Sequence, residues 1–151
     1  LNYYKEICSH YDSTYDMVDL LSIGVLYEDK KEQFLDDLRI IVHRFDSKDG
    51  IIHHLVNYLE NKPIQALPSR IKYYNALATA ENKKEVLIKE LRVWYRRHSG
   101  AYWYDSHKSK EDTYCGYWCF EVAAFVKIFN IDDSEFADNV YYPYDLLHQN
   151  L

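Results

Sequence analysis

Two groups of residues in this chain have the right chemistry for catalysis or metal binding. Cys115 and Cys119 stand four apart in the run YCGYWC, and His107 or His148 could complete a zinc site of thiolates and imidazoles. The paired Cys-x2-Cys knuckles of structural zinc sites are missing, and two small polarizable side chains packed in a core are the competing use. Trp103-Tyr104-Asp105-Ser106-His107 sets a carboxylate and an imidazole close together; with Glu121 they could serve a small metal-dependent hydrolase. Such a pair works only beside a nucleophile or a metal. The chain has no Gly-x-Ser-x-Gly elbow, no phosphate loop and no His-Glu-x-x-His. The simpler use has Trp103 anchoring the loop while Asp105 or His107 bonds backbone groups. Glu121 lies in a strongly apolar run, so it must be paired, hydrogen-bonded or protonated, with Arg96, Arg97, His107 or a Tyr hydroxyl as partner. The sequence therefore assigns no catalytic residue, no metal and no cofactor.

Recognition is better provided for than catalysis. Asp12, Asp16 and Asp19 share one side of a helix, and Glu28, Asp29, Glu32, Asp36 and Asp37 extend the stripe. A second acidic stretch, Asp132, Asp133, Glu135 and Asp138, lies beside Tyr141 and Tyr142. Such carboxylates can stand in for nucleic-acid phosphates against a basic groove, although a solvated helix face is the ordinary use of any one of them. The formal net charge of −6 argues against a DNA-binding surface. The charge is uneven: residues 83–110 hold eight Lys/Arg against three acids, whereas residues 111–151 hold eight acids against Lys127 alone. An acidic protein of this kind suits a basic partner.

The elements that must hold these residues read as helices throughout. At 151 residues, 48% of them hydrophobic and 16 of them Tyr, the chain can bury a sizeable core. Only 4 Gly and 3 Pro leave little room for turns. Three cysteines, an odd number, suit a reducing compartment, and no signal peptide or transmembrane run stands out. The stretch 114–129 carries only Glu121 and Lys127 as charges, so it is predicted as a helix buried on all sides. Around it the periodicity predicts helices over about 11–27, 30–45, 51–60, 69–79 and 82–98, with short turns near 132–135 and 144–148. Ser9 with Asp12 and Asn82 with Glu85 resemble capping boxes. The expectation is an all-α bundle of about six to seven helices packed around the 114–129 helix. One helical domain should cover 1–151, as the C-terminal part of a longer protein.

With the motifs in view, the chain resembles a known family. Trp94-Tyr95, the Trp103–Lys108 run, Tyr114-Cys115-Gly116-Tyr117-Trp118-Cys119-Phe120-Glu121-Val122-Ala123-Ala124, Ile131–Ser134 and Tyr141-Tyr142-Pro143-Tyr144-Asp145-Leu146 are similar to the C-terminal domain of the PoNi proteins. Tyr15–Leu26 resembles that domain's first helix. Tyr144 is a small departure, standing where a basic or variable residue is expected. PoNi proteins are bacterial immunity proteins against PoNe-type DNase toxins delivered by contact-dependent secretion. The resemblance implies a cytoplasmic, non-enzymatic inhibitor that binds a cognate nuclease toxin and blocks its DNA cleft, touching neither nucleic acid nor membrane. It marks Trp103, Asp105, His107, Gly116, Tyr117, Trp118, Glu121, Pro143 and Asp145 as a structural signature. Asp12, Asp16, Asp19, Asp36 and Asp37, with Asp132, Asp133, Glu135, Tyr141 and Tyr142, are then the residues expected to face the toxin. A helical adaptor for another protein is the alternative, and an apolar rather than acidic groove would favour it.

Overall fold

A computed structural model describes residues 13–111 and 114–148 of the chain. Seven α-helices follow in order: α1 (Ser13–Leu26), α2 (Leu35–Phe45), α3 (Gly50–Leu59), α4 (Lys72–Thr79), α5 (Lys83–Arg97), α6 (Phe120–Phe129) and α7 (Tyr144–His148). Short 3-10 turns at Glu28–Gln33, Ser106–Lys108 and Ser134–Phe136 complete the regular structure, and no strand occurs among the described residues. The fold is the all-α bundle the periodicity predicts.

Burial explains the arrangement. In α6, Val122, Ala123, Ala124 and Phe125 are fully inaccessible, and α1 packs directly along this helix and along α3. The inward side of α1 is Met17, Val18, Leu21 and Val25; that of α3 is Ile51, Ile52, Leu55 and Leu59. The alanines of α6 let its neighbours come close, while Phe125 fills the space towards Tyr74 and Phe129. Each such large side chain stabilises the fold by roughly 1.5–3 kcal/mol through burial. His54 sits among these rings with Nδ1 3.0 Å from the Tyr74 hydroxyl; burial, then the nearby Lys83 charge, lowers its pKa to about 4.

Two expected boundaries move. The buried helix begins at Phe120, and residues 114–119 run into it without helical structure. Gly116 takes φ +94°, which no helix allows, and the Cys119 amide donates to the Tyr141 carbonyl at 2.8 Å. The predicted 30–45 helix is broken at Phe34 into the 3-10 turn and α2. Elsewhere local signals hold: Asn82 accepts from the Glu85 amide at 3.2 Å, and Asp46 and Asn130 end α2 and α6 in the left-handed conformation. The capping box expected at Ser9 and Asp12 lies outside the described residues.

The connector between α3 and α4 is tied by Asp49. One carboxylate oxygen accepts the Ile51 amide at 3.2 Å, capping α3, and the other accepts the Arg70 amide at 2.9 Å. Beside it the Gly50 amide donates to the Pro68 carbonyl at 2.8 Å, so close that a Cβ on Gly50 would stand 1.9 Å from the Leu67 oxygen. Asp49→Ala removes both bonds and should cost about 2–3 kcal/mol in denaturant unfolding, with Asp49→Asn recovering part of it. Equal stability of Asp49→Ala and the parent chain would show that the connector is held otherwise.

Candidate partner-binding surface

The acidic stripe resolves into two unlike parts. Asp29, Glu32, Asp36 and Asp37 are all exposed on the 3-10 turn and the first turn of α2, and the Asp36 side chain is 92% accessible. Asp36 and Glu28 engage cations: Arg39 donates to Asp36 at 2.7 Å while also reaching Glu60, and Lys127 lies 3.3 Å from Glu28. Lys31 is turned inward and donates to the Leu59 carbonyl at 3.3 Å. Four acids thus face solvent at this end of the bundle, with Lys30 exposed among them.

Asp19 does not belong to that patch. It sits at the edge of α1 against the first turn of α6, where burial, then the charges of Glu121 and Asp16, push its pKa well above the ordinary carboxylate value. Asp16 is half-buried beside it, and Asp12 lies outside the described residues. Helical projection groups these aspartates, but the element that covers Asp19 comes from a hundred residues further along the chain.

The acidic tail divides in the same way. Asp132 and Glu135 are exposed yet share Lys84, at 3.5 and 2.7 Å. Asp133, expected on the surface, is 6% exposed; it accepts from the Tyr142 hydroxyl at 2.7 Å and lies 3.0 Å from His148 Nε2. Tyr142 is buried with it, and Tyr141 is half-buried, its ring stacked on Tyr95 with centroids 5.2 Å apart. These three residues hold the C-terminal turns in place, so the exposed part of the tail is smaller than its sequence suggests.

The signature residues build the scaffold beneath. Trp103 stacks on Trp94 with centroids 5.4 Å apart. Asp105, in the left-handed conformation, accepts from the Tyr95 hydroxyl and from Lys108, each at 2.8 Å. The Tyr117 hydroxyl lies 2.7 Å from His107 Nδ1 and accepts the His107 amide at 3.1 Å. Desolvation raises the Tyr117 pKa, but the Ser106 hydroxyl and the His107 amide outweigh it and hold the phenol below its ordinary value. Trp118 is 44% exposed, and a Cβ on Gly116 would meet its indole Nε1 at 2.5 Å. Pro143 is buried behind it and Asp145 exposed at the start of α7.

Glu121 finds a partner that neither charge nor spacing suggests. Its Oε1 accepts from the Trp94 indole at 2.8 Å, rather than from an arginine, a histidine or a phenol. Among the described residues, Oε2 and the buried Tyr73 hydroxyl have no hydrogen-bond partner, and Tyr73 lies within the field of Glu121, Cys119, Glu90 and Asp19. Burial pushes the Glu121 pKa up to about 7; its own backbone amide pulls it down, the Glu90 charge adds to the rise, and the Trp94 bond opposes it. Glu90, itself 2% exposed, is met by Arg97 at 2.5 Å. Of Asp105, His107 and Glu121, Asp105 feels the His107 charge, while each is hydrogen-bonded to a different partner: Asp105 to Tyr95 and Lys108, His107 to Tyr117 and Glu121 to Trp94. Cys115 is exposed and Cys119 buried, so they share no metal-facing side, and no group of three or more His, Cys, Asp or Glu among the described residues is placed to hold a metal.

The geometry describes a helical bundle with an aromatic scaffold and exposed acids near one end. A family model described as PoNe immunity proteins (PoNi), C-terminal, matches residues 41–146, and the chain belongs to that family. No curated protein and no solved structure matches the chain. Membership implies an immunity protein against PoNe nuclease toxins. The matched stretch starts inside α2 and spans the whole aromatic scaffold, whereas Asp29, Glu32, Asp36 and Asp37 precede it. No helix among the described residues is long and apolar enough to cross a membrane.

The buried carboxylate sets a pH dependence whose sign can be worked out. Between its ordinary value of 4.5 and about 7, Glu121 makes the folded chain bind more protons than the unfolded one. Its contribution is thus fully present below the lower value and lost as pH rises through the upper. His54 acts oppositely, removing stability as pH falls from 6.5 towards about 4. Urea unfolding at pH 6 and pH 8 should show the parent losing about 1.3 kcal/mol across that interval relative to Glu121→Gln, the His54 contribution being common to both proteins. Parallel pH profiles for the two proteins would show that Glu121 stays ionised in the folded state.

Proposed function

We propose that this chain neutralises a cognate antibacterial nuclease by laying the acidic end formed by Glu28–Asp37 over the toxin's basic DNA-binding cleft. The observation that carries this is the cluster of exposed Asp29, Glu32, Asp36 and Asp37 on a firmly packed bundle, on an acidic chain of an immunity family. A nuclease cleft must be basic to hold phosphates, and a rigid array of carboxylates competes for the same cations. Association is then fast and salt-sensitive, and neutralisation needs no chemistry from the inhibitor. The partner is the toxin protein itself, with no nucleic acid or membrane involved, and the encounter takes place in the bacterial cytoplasm, where the toxin meets DNA. Asp132 and Glu135, already neutralised by Lys84, contribute at most a flank. Asp16 and Asp19 act from within the fold by shaping α1.

Asp36→Lys with Asp37→Lys alters two exposed side chains, so the fold should persist while protection fails. In a DNA-cleavage assay with the nuclease encoded beside this chain, the double variant should need at least tenfold more inhibitor, and its association rate should lose most of its salt dependence. Inhibition at the parent concentration by a folded double variant would place the toxin on another surface.

A further inference from the structure

Between α1 and α2 the bundle leaves an open cleft of about 220 Å³. Leu20 and Ile23 of α1 line it with Tyr27 just beyond that helix, and Phe34, Leu38 and Ile41 from the other side, with Asp37 at the lip. Gly24 is also part of the lining, and a Cβ there would stand 3.3 Å from Leu59 and 3.4 Å from Phe34. A mid-helix glycine weakens a helix relative to alanine, and here it lets Leu59 and Phe34 pack close against α1. Nearby Ile40 is 50% exposed. An apolar depression bordered by exposed carboxylates has the anatomy of a hot-spot pocket with a polar rim.

We propose that this cleft is the anchor point of the complex, taking one apolar side chain that the nuclease carries on its basic surface; the inference rests on the immunity reading above. Charge complementarity selects this occupant. Asp37 is part of the lip, and Asp29, Glu32 and Asp36 are exposed on the adjoining turns; of the cations here, Lys30 lies over the Tyr27 ring, Arg39 is shared by Asp36 and Glu60, Lys31 donates to the Leu59 carbonyl, and Lys127 is held by Glu28 and the Leu26 carbonyl. A second copy of this chain would bring the same carboxylates face to face, and an anionic lipid surface would be repelled. A basic surface with a projecting apolar residue satisfies both the rim and the floor. The acids then govern the approach, and the buried anchor governs how long the complex lasts.

The test separates the two roles kinetically, using the full chain and the catalytically inactivated nuclease encoded beside it on a surface-based binding instrument. Leu20→Gln with Ile23→Gln should speed dissociation at least tenfold while keeping the association rate and its salt dependence. Leu20→Trp, which fills the cleft without adding polarity, should weaken the complex in the same way and guards against a folding defect in the first variant. Unaltered dissociation for folded forms of both variants overturns the cleft as anchor but leaves the acidic face standing. A parent chain that does not bind the nuclease at all overturns the reading and the cleft together. Sedimentation showing a parent dimer that the Gln variants split would reassign the cleft to self-association and overturn the proposal.

Discussion

The structure depends on a carboxylate held out of water. Glu121 in the first turn of α6 is 3% exposed and accepts from the Trp94 indole of α5. A buried carboxyl of this kind is tolerated only where neighbours bond it or let it keep its proton. That requirement organises the elements around it: α1 brings Asp19, α4 brings the Tyr73 hydroxyl, and α5 brings Glu90 with its Arg97. Trp94 then carries Trp103 on one side and Tyr141 on another, so the loop after α5 and the C-terminal turns are placed by the same indole. A hydrophobic core alone would not fix these packings uniquely. The polar pair at its centre ties α5 and α6 in one register.

From that fixed interior the two ends of the molecule diverge in character. Around Trp94 the surface is aromatic, with Tyr102, Tyr114 and Trp118 exposed and Lys108 near the same loop. At the opposite side of the chain's order, the turn before α2 and its first turn hold the exposed acids Asp29, Glu32, Asp36 and Asp37 and are less deeply packed: only Leu38 and Ile41 of α2 are buried. The first end is covered by the family match, while most of the second precedes it. A shared scaffold carrying a separate surface for choosing partners is a workable design for inhibitors that must each meet one toxin, because specificity can be altered without disturbing the core.

Much of this was legible in the residues, and the failures have physical causes. Asn82 with Glu85 announces the start of α5 because capping is a local interaction. Composition marks the buried apolar run but places the start of its helix six residues early, since a buried extended segment and a buried helix have the same composition; Gly116, at φ +94°, is the residue that signals the difference. Asp19 was grouped with Asp12 and Asp16 because a projection of one helix cannot show that Glu121 lies against it. Asp133 and Tyr142 looked like surface residues until their mutual bond placed them inside. The acids from 28 to 37 were visible as a run, whereas the cleft beside them depends on the spacing of two helices and left no mark in the sequence.

The claim that recognition belongs to the acidic end is tested most directly by amide hydrogen exchange on the chain, free and bound to its nuclease. The account predicts slowed exchange across Leu20–Ile41, with the Trp118–His148 region little changed. Protection confined to the exposed aromatics around Tyr114 and Trp118, with α2 exchanging as in the free chain, would contradict it.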